Sequence, residues 1–210
     1  MTRPRKILLA SRNPGKVREI RAALGACGVE VAGLDEVDPD GRIPEPAEEA
    51  ATFAGNARTK AAWYARATGL CALADDSGLV VAALGGAPGV RSARYAADEC
   101  PAPRGRKEMD AANNRKLLRE LAGVSEDGRT ARFVCSLALS DGERTLLEAE
   151  GTVEGRIAAG AAGENGFGYD PLFVVDGLGR TAAELSPGQK NEISHRGKAV
   201  RELVRVMSEL

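Results

Sequence analysis

Apolar positions along the first third of the chain alternate between two kinds of spacing. Ile7, Leu8, Leu9 and Ala10 form an uninterrupted run, which predicts a strand covered on both faces. From Val17 the apolar residues fall at Val17, Ile20, Ala23 and Leu24, the spacing of a helix, and Gly25 or Gly28 ends it. Val29 to Leu34 predicts a second short strand. Asp35 to Ala51 is rich in Pro, Asp and Glu and predicts a loop. Thr52 to Thr68 places Phe53, Ala57, Ala61, Tyr64 and Ala65 on one helical stripe, with Gly69 as the stop. Leu70 to Ala74 predicts a buried strand that runs into the turn Asp75-Asp76-Ser77-Gly78, and Leu79 to Leu84 resumes the apolar run.

The second half changes rhythm. Gly85 to Gly89 is a turn cluster. Arg104 to Leu121 predicts a helix with Met109, Leu117, Leu118 and Leu121 inward. Thr130 to Ser140 alternates, with Ala131, Phe133, Cys135, Leu137 and Leu139 on one face. Asp141-Gly142 then signals a hairpin, and Thr145 to Val153 returns as its partner strand. Gly151 to Gly168 is glycine-dense and predicts irregular chain. Leu172 to Val175 predicts a last strand. Ser186-Pro187 opens a helical stretch that His195-Arg196-Gly197 interrupts or restarts, and Ala199 to Leu210 closes it. Early strand–helix alternation followed by a hairpin predicts an α/β fold with a mixed sheet, its two halves flanking a cleft.

Composition narrows the function classes. A formal net charge of -1 over 210 residues argues against a broad nucleic-acid-binding face. There is no signal peptide and no apolar run of membrane-spanning length, so the expected location is cytoplasmic. Cys27, Cys71, Cys100 and Cys135 are too far apart in sequence for zinc-ligand spacing, and isolated thiols in a reducing compartment are expected.

Four segments carry candidate chemistry. Ser11-Arg12-Asn13-Pro14-Gly15-Lys16 joins a strand to a helix start. Such a turn offers backbone N–H groups, the positive end of a helix dipole and a lysine, all of which favour a phosphate. The first glycine of a Walker A loop is absent and Val17 follows the lysine where that loop has Ser or Thr, so a standard P-loop kinase or ATPase is disfavoured. Asp75 and Asp76 are adjacent on extended chain. Their side chains point to opposite faces, so one can serve a ligand while the other braces the turn. A carboxylate there can hold Mg²⁺ or take a proton from water. Phe167-Gly168-Tyr169-Asp170-Pro171 concentrates aromatics beside glycines, as a base-stacking slot or a small core cluster would. Lys190 and Ser194-His195-Arg196-Gly197 supply donors suited to a carbonyl oxygen or a phosphate, and His195 is the only histidine. Glu48 and Glu49 can extend a metal site or form a solvated charge run. Asn56 and Lys60, four apart, can share a ligand or form a surface pair.

Taken in order, these stretches, together with Leu84-Gly85-Gly86-Ala87-Pro88-Gly89, Ser92-Ala93-Arg94-Tyr95 and Thr181-Ala182-Ala183-Glu184-Leu185, resemble the Ham1-like, or ITPase, family of nucleoside triphosphate pyrophosphatases. The resemblance spans nearly the whole chain. It implies a single domain over residues 1–210 with an elongated mixed β-sheet, flanking helices and two lobes around a central substrate cleft, assembled as a homodimer. It also implies Mg²⁺-dependent cleavage of non-canonical purine triphosphates (ITP, dITP, XTP) to the monophosphate and pyrophosphate. Asp76 would be proton acceptor and metal ligand, with Glu48 as second metal ligand. Ser11 to Lys16 would grip the triphosphate. Asn56, Lys60, Ser77, Phe167, Gly168, Tyr169, Asp170, Lys190, His195 and Arg196 would contact substrate. The chain departs from the family pattern at Glu48-Glu49-Ala50-Ala51, where Glu-Thr-Gly is usual, and at Gly55, where an acid usually precedes the asparagine. Two alternatives are a Maf-like pyrophosphatase of other modified nucleotides and a nucleotide-binding protein without catalysis.

Overall fold

The computed structural model describes residues 6–25, 28–102 and 105–208. The described chain runs β1 Lys6–Leu9, α1 Pro14–Gly25, β2 Glu30–Gly33, α2 Leu34–Val37, α3 Phe53–Thr68, β3 Ala72–Val81, α4 Arg106–Glu120, β4 Thr130–Ser140, β5 Thr145–Ile157, β6 Phe173–Val175, α5 Pro187–Ile193 and α6 His195–Ser208. The strands form a mixed sheet in the order β2-β1-β3-β4-β5-β6. β1 pairs in parallel with β2 (Lys6 opposite Glu30, Leu9 opposite Gly33) and with β3 (Leu8 opposite Ala72). β5 pairs antiparallel with β6, Ile157 opposite Phe173. The α/β class and mixed sheet are as the sequence predicts. Cys27, Arg104 and Leu210 lie outside the described residues.

The chain divides into two compact units. One comprises residues 1–76, 135–151 and 194–210; the other comprises 77–134 and 152–193. In the first, Ile7, Leu9, Ile20, Leu24, Leu73, Leu137, Leu139, Val200 and Leu203 share a core, and Leu8, Ala57, Ala61, Tyr64 and Ala74 form another. In the second, Leu79, Leu117, Leu121, Phe133, Ile157, Tyr169, Leu172 and Phe173 pack together. The continuous run in β1 is buried throughout Ile7 to Leu9, which explains its lack of polar alternation.

Three elements differ from the expectation. The first is β3, one strand of ten residues that carries Asp75-Asp76-Ser77-Gly78 in its interior instead of ending there. Its first half is paired with β1. Its second half is held by Leu79 N donating to Ser92 Oγ (2.9 Å) and Val81 N donating to the Ala87 carbonyl (3.1 Å). The second is β5, which continues to Ile157 through chain expected to be irregular. Pairing with β6 and the bond from Ile157 N to the Arg129 carbonyl (2.9 Å) extend it. The third is the acidic loop, which begins with the one-turn helix α2. Glu36 Oε1 accepts from Gly33 N (3.2 Å) and closes that turn.

Caps fix the functional helices. Asn13 Oδ1 accepts from Gly15 N (3.0 Å) at the start of α1, which opens on Pro14 as predicted. Thr52 Oγ1 accepts from Gly55 N (3.1 Å) on α3, and Gly69, at φ 70°, ends that helix. The helical stretch after Pro187 breaks at Ser194, whose Oγ accepts from Gly197 N (3.0 Å), so α6 restarts at His195.

Gly151 on β5 lets the first turn of α6 approach. A Cβ there would collide with the His195 carbonyl and reach 2.5 Å from Ala199 N. Because both obstacles are backbone, the helix start must move. Gly151→Ala is expected to destabilise the protein by about 1–3 kcal/mol, read as a lower urea midpoint. An unchanged midpoint would show that α6 does not depend on this close approach.

Candidate active site

In the first unit, α1, α3, β3 and α6 bring six charged residues together: Lys16, Glu19, Lys60, Asp75, Asp76 and Arg196. Asp75 and Asp76 are neighbours on β3 with different partners, as alternation along a strand requires. Asp75 pairs with Lys16 through Oδ1 and accepts from Arg196 Nε through Oδ2 (2.9 Å). The buried Cys135 thiol donates to the same Oδ2 (3.1 Å). Arg196, only 2 % exposed, reaches Glu19 through Nη1. Glu19 and Lys16 lie one turn apart on α1, so the phosphate-turn helix and the α6 N-terminus share one charge network. Burial alone would raise the Asp75 carboxyl. The Arg196 guanidinium and Lys16 ammonium overcome that and hold it well below the usual carboxylate range.

Asp76 has the opposite balance. Burial pushes its carboxyl up to about 6, against the pull of Lys16, Lys60 and the bond from Asn56 Nδ2 (3.0 Å), with Glu48 adding repulsion. Asn56 is 1 % exposed, and its Oδ1 accepts from Ala50 N (2.9 Å). Lys60, on the same helical face, pairs with Glu48 and points toward the Asp75 carbonyl (3.4 Å). Asn56 and Lys60 therefore serve the acidic cluster together. Glu48 faces Lys60, whereas Glu49 is exposed. Gly55 sits tightly: a Cβ there would lie 2.7 Å from Ala50 Cβ, so the two departures from the family pattern touch each other.

In the phosphate turn, Ser11 Oγ accepts from Asn13 N (3.3 Å). The Asn13 Nδ2 group is buried and has no hydrogen-bond partner among the described residues. A buried donor without a partner is uncommon and points to an acceptor that binds there. Arg12 instead turns to the acidic loop, pairing with Asp38 and donating to the Ile43 carbonyl (3.3 Å). Asp38 also accepts from Arg42 N (2.8 Å) and Ile43 N (3.1 Å). Nothing in the sequence marked Asp38 as the loop's anchor.

In the second unit, Asp170 Oδ2 accepts from Phe167 N (2.7 Å) and from Lys190 Nζ (2.7 Å), and the Lys190 ammonium lies 4.9 Å from the Phe167 ring centroid. Gly166, at φ 80°, passes so close to Asp170 that no side chain fits. Tyr169 is buried, and its hydroxyl donates to the Ser92 carbonyl (2.9 Å). Phe167 is half-buried, as is Ser77.

Such a sheet, with a lysine-bearing strand–helix turn and paired carboxylates of opposed acidity, belongs to a known class. The Ham1 family model matches residues 7–206, and the chain belongs to the Ham1 family. It is 48% identical to a dITP/XTP pyrophosphatase of Exiguobacterium sibiricum, covering 94% of each chain. It is also 48% identical to one of Geobacillus kaustophilus, over 95% of this chain and 92% of the relative. Among solved structures, a HAM1 protein from Coxiella burnetii superposes with a TM-score of 0.82 at 41% identity, covering 98% of this chain and 99% of that one. A nucleoside-triphosphatase, or dITP/XTP pyrophosphatase, from Mycobacterium abscessus gives 0.72 at 44% identity, over 93% and 97%.

Proposed function

We propose that the protein hydrolyses non-canonical purine nucleoside triphosphates (ITP, dITP, XTP) to the monophosphate and pyrophosphate. The observation that carries this is Asp76: a buried carboxyl raised to about 6 beside Lys16, Lys60 and Glu48, in a chain whose relatives are named dITP/XTP pyrophosphatases. A carboxylate near that value is well matched to taking a proton from water at neutral pH.

A divalent ion such as Mg²⁺ suits this donor set. Asp76 and Glu48 offer hard carboxylate oxygens, and the elevated Asp76 value marks a carboxylate that gains from a nearby cation. Among the described residues no group of three or more His, Cys, Asp or Glu gathers as a cage. Two carboxylates plus phosphate oxygens and water is the usual arrangement for Mg²⁺. Bound there, the ion would neutralise phosphate charge and polarise the phosphoryl oxygens.

The chain's own residues do the rest. Asn13 Nδ2, the α1 amides and Lys16 take up phosphate oxygens, helped by Ser11, Pro14 and Gly15, with Arg12 holding the loop beside them. Asn56 fixes the Asp76 carboxylate so that one oxygen faces the attacking water. Asp76 takes the proton as the water oxygen bonds to the α-phosphorus, and the α–β anhydride bond breaks to release pyrophosphate. Ser77, Phe167 to Asp170 and Lys190 bind the nucleoside. His195 and Arg196 donate toward the 6-oxo group, Arg196 from within its pair with Asp75 and Glu19. A 6-amino base offers a donor there instead, and each unmatched buried donor disfavours it by roughly 5- to 150-fold. The same reading carries a homodimer in the cytoplasm. Among the described residues no helix is long and apolar enough to cross a membrane.

With ITP and Mg²⁺, equimolar IMP and pyrophosphate are expected, with ATP cleaved far more slowly. Orthophosphate without pyrophosphate would reject the reaction, and no product from any triphosphate would leave a binding protein.

A further inference from the structure

Helix α4 carries four polar residues, Arg106, Asp110, Asn113 and Asn114, that neither the phosphate nor the metal role uses. Gly168 N donates to Asp110 Oδ2 (3.0 Å), and Asn114 Nδ2 donates to the Gly168 carbonyl (3.0 Å). Two side chains one helical turn apart thus satisfy both backbone groups of a single residue. That residue is left-handed, at φ 63°, so the turn depends on what holds it. Arg106 Nε, 3.4 Å from Asp110 Oδ1, steadies the carboxylate. Between them, Asn113 is 2 % exposed. It accepts from Ala96 N (2.8 Å) and donates to the carbonyls of Ser92 (3.2 Å) and Ala93 (3.3 Å). Since the Ser92 carbonyl also accepts from Tyr169, α4 grips Gly168 directly and Tyr169 through one intermediary.

We infer that Asp110 and Asn114 are positioning residues for nucleobase binding. They lock the Phe167–Gly168 turn so that the Phe167 ring is presented in one orientation, with Asp170 and Lys190 fixing it from the other side. This assignment rests on the base contact proposed above for Phe167. A clamp of this kind sets affinity for the nucleoside part of the substrate and leaves phosphate capture and proton transfer alone.

Steady-state kinetics with ITP and Mg²⁺ test it on the full chain. Asn114→Asp keeps the shape but replaces the donor facing the Gly168 carbonyl with an acceptor; Asp110→Ala removes the acceptor for Gly168 N. Each is expected to raise KM about 10-fold, with kcat within about threefold and the inhibition constant of inorganic tripolyphosphate, which has no base, unchanged. Asp110→Asn retains an acceptor oxygen and should restore near-normal KM. Phe167→Ala serves as reference. If Phe167→Ala raises KM while Asn114→Asp and Asp110→Ala do not, the clamp is refuted and the base contact stands. If Phe167→Ala leaves KM unchanged, the base contact falls and the clamp with it. If tripolyphosphate inhibition weakens in step with KM, the residues act on the whole fold and the positioning role is overturned.

Discussion

Replacing Asp76 with Asn is expected to lower turnover by about 10²- to 10⁴-fold and, at neutral pH, to make the metal-free protein more stable. The first effect follows from losing the proton acceptor. Nucleotide binding should survive, because the turn amides and Lys16 are untouched. The second follows from the raised pKa of Asp76. The Asp76 carboxyl sits at about 6 in the fold and near 3.8 in unfolded chain, so the fold prefers its protonated form. Below about pH 4 the group is protonated in both states and costs nothing. Between about pH 4 and pH 6 the unfolded chain releases the proton while the fold keeps it, so stability falls with pH, and the loss reaches up to about 3 kcal/mol once pH has passed 6. Asn is neutral throughout and can still accept from Asn56 through Oδ1. Urea unfolding in the presence of a chelator should show the variant's advantage growing between pH 4 and pH 7. An advantage that is absent at pH 7, or equal at both values, would contradict the raised Asp76 value. Near-normal turnover would remove its role as base.

The opposite sign is expected at Arg196. Arg196→Met leaves Asp75 and Glu19 without their guanidinium in a buried setting, which should destabilise the protein by about 3–5 kcal/mol. Adding Asp75→Asn should recover part of that loss, since the uncompensated charge is then gone. Arg196→Lys should fall between, because one ammonium cannot match the forked geometry that serves two carboxylates. Thermal and urea unfolding of the three variants read this directly, and wild-type stability in Arg196→Met would dissolve the network. A change in the ITP to ATP ratio on losing Arg196 therefore carries meaning only at a matched folded fraction.

Most of the fold was legible because burial and period agree with each other. β4 matches its predicted bounds, and α3 runs from the residue after its Thr52 cap to Thr68, where the Gly69 stop was expected. The misses arose where tertiary pairing overrode local signal. Asp-Asp-Ser-Gly looks like a turn by composition, yet the strand runs through it, paired with β1 at Ala72 and Leu73, held at Leu79 N by Ser92 Oγ, and with both carboxylates partnered. Glycines in β5 suggested irregular chain, but Gly151 and Gly155 mark close approaches by α6 and by β6. At the site, residue types were readable and pairings were not. The adjacency of Asp75 and Asp76 in sequence says that two acids are present. That one meets Lys16 and Arg196 while the other meets Asn56 depends on elements distant in sequence. Asp110 and Asn114 drew no attention because a polar pair four apart on a helix looks like ordinary surface.

The placement of both acids inside one unbroken strand has a consequence for how the gene can vary. Since the two carboxylates differ only in position along the pleat and in the surroundings each position meets, a single inserted or deleted residue between the β1-paired part of β3 and Asp75 takes an acid away from one of the two positions. An insertion directly before Asp75 would leave Lys16 and Arg196 facing the new residue, and a deletion would bring Ser77 to the place where Asn56 meets Asp76. Length changes can be absorbed in the loop before α3 or in the chain after β5. Along the few residues from Ala72 to Asp76, the count itself is part of the chemistry.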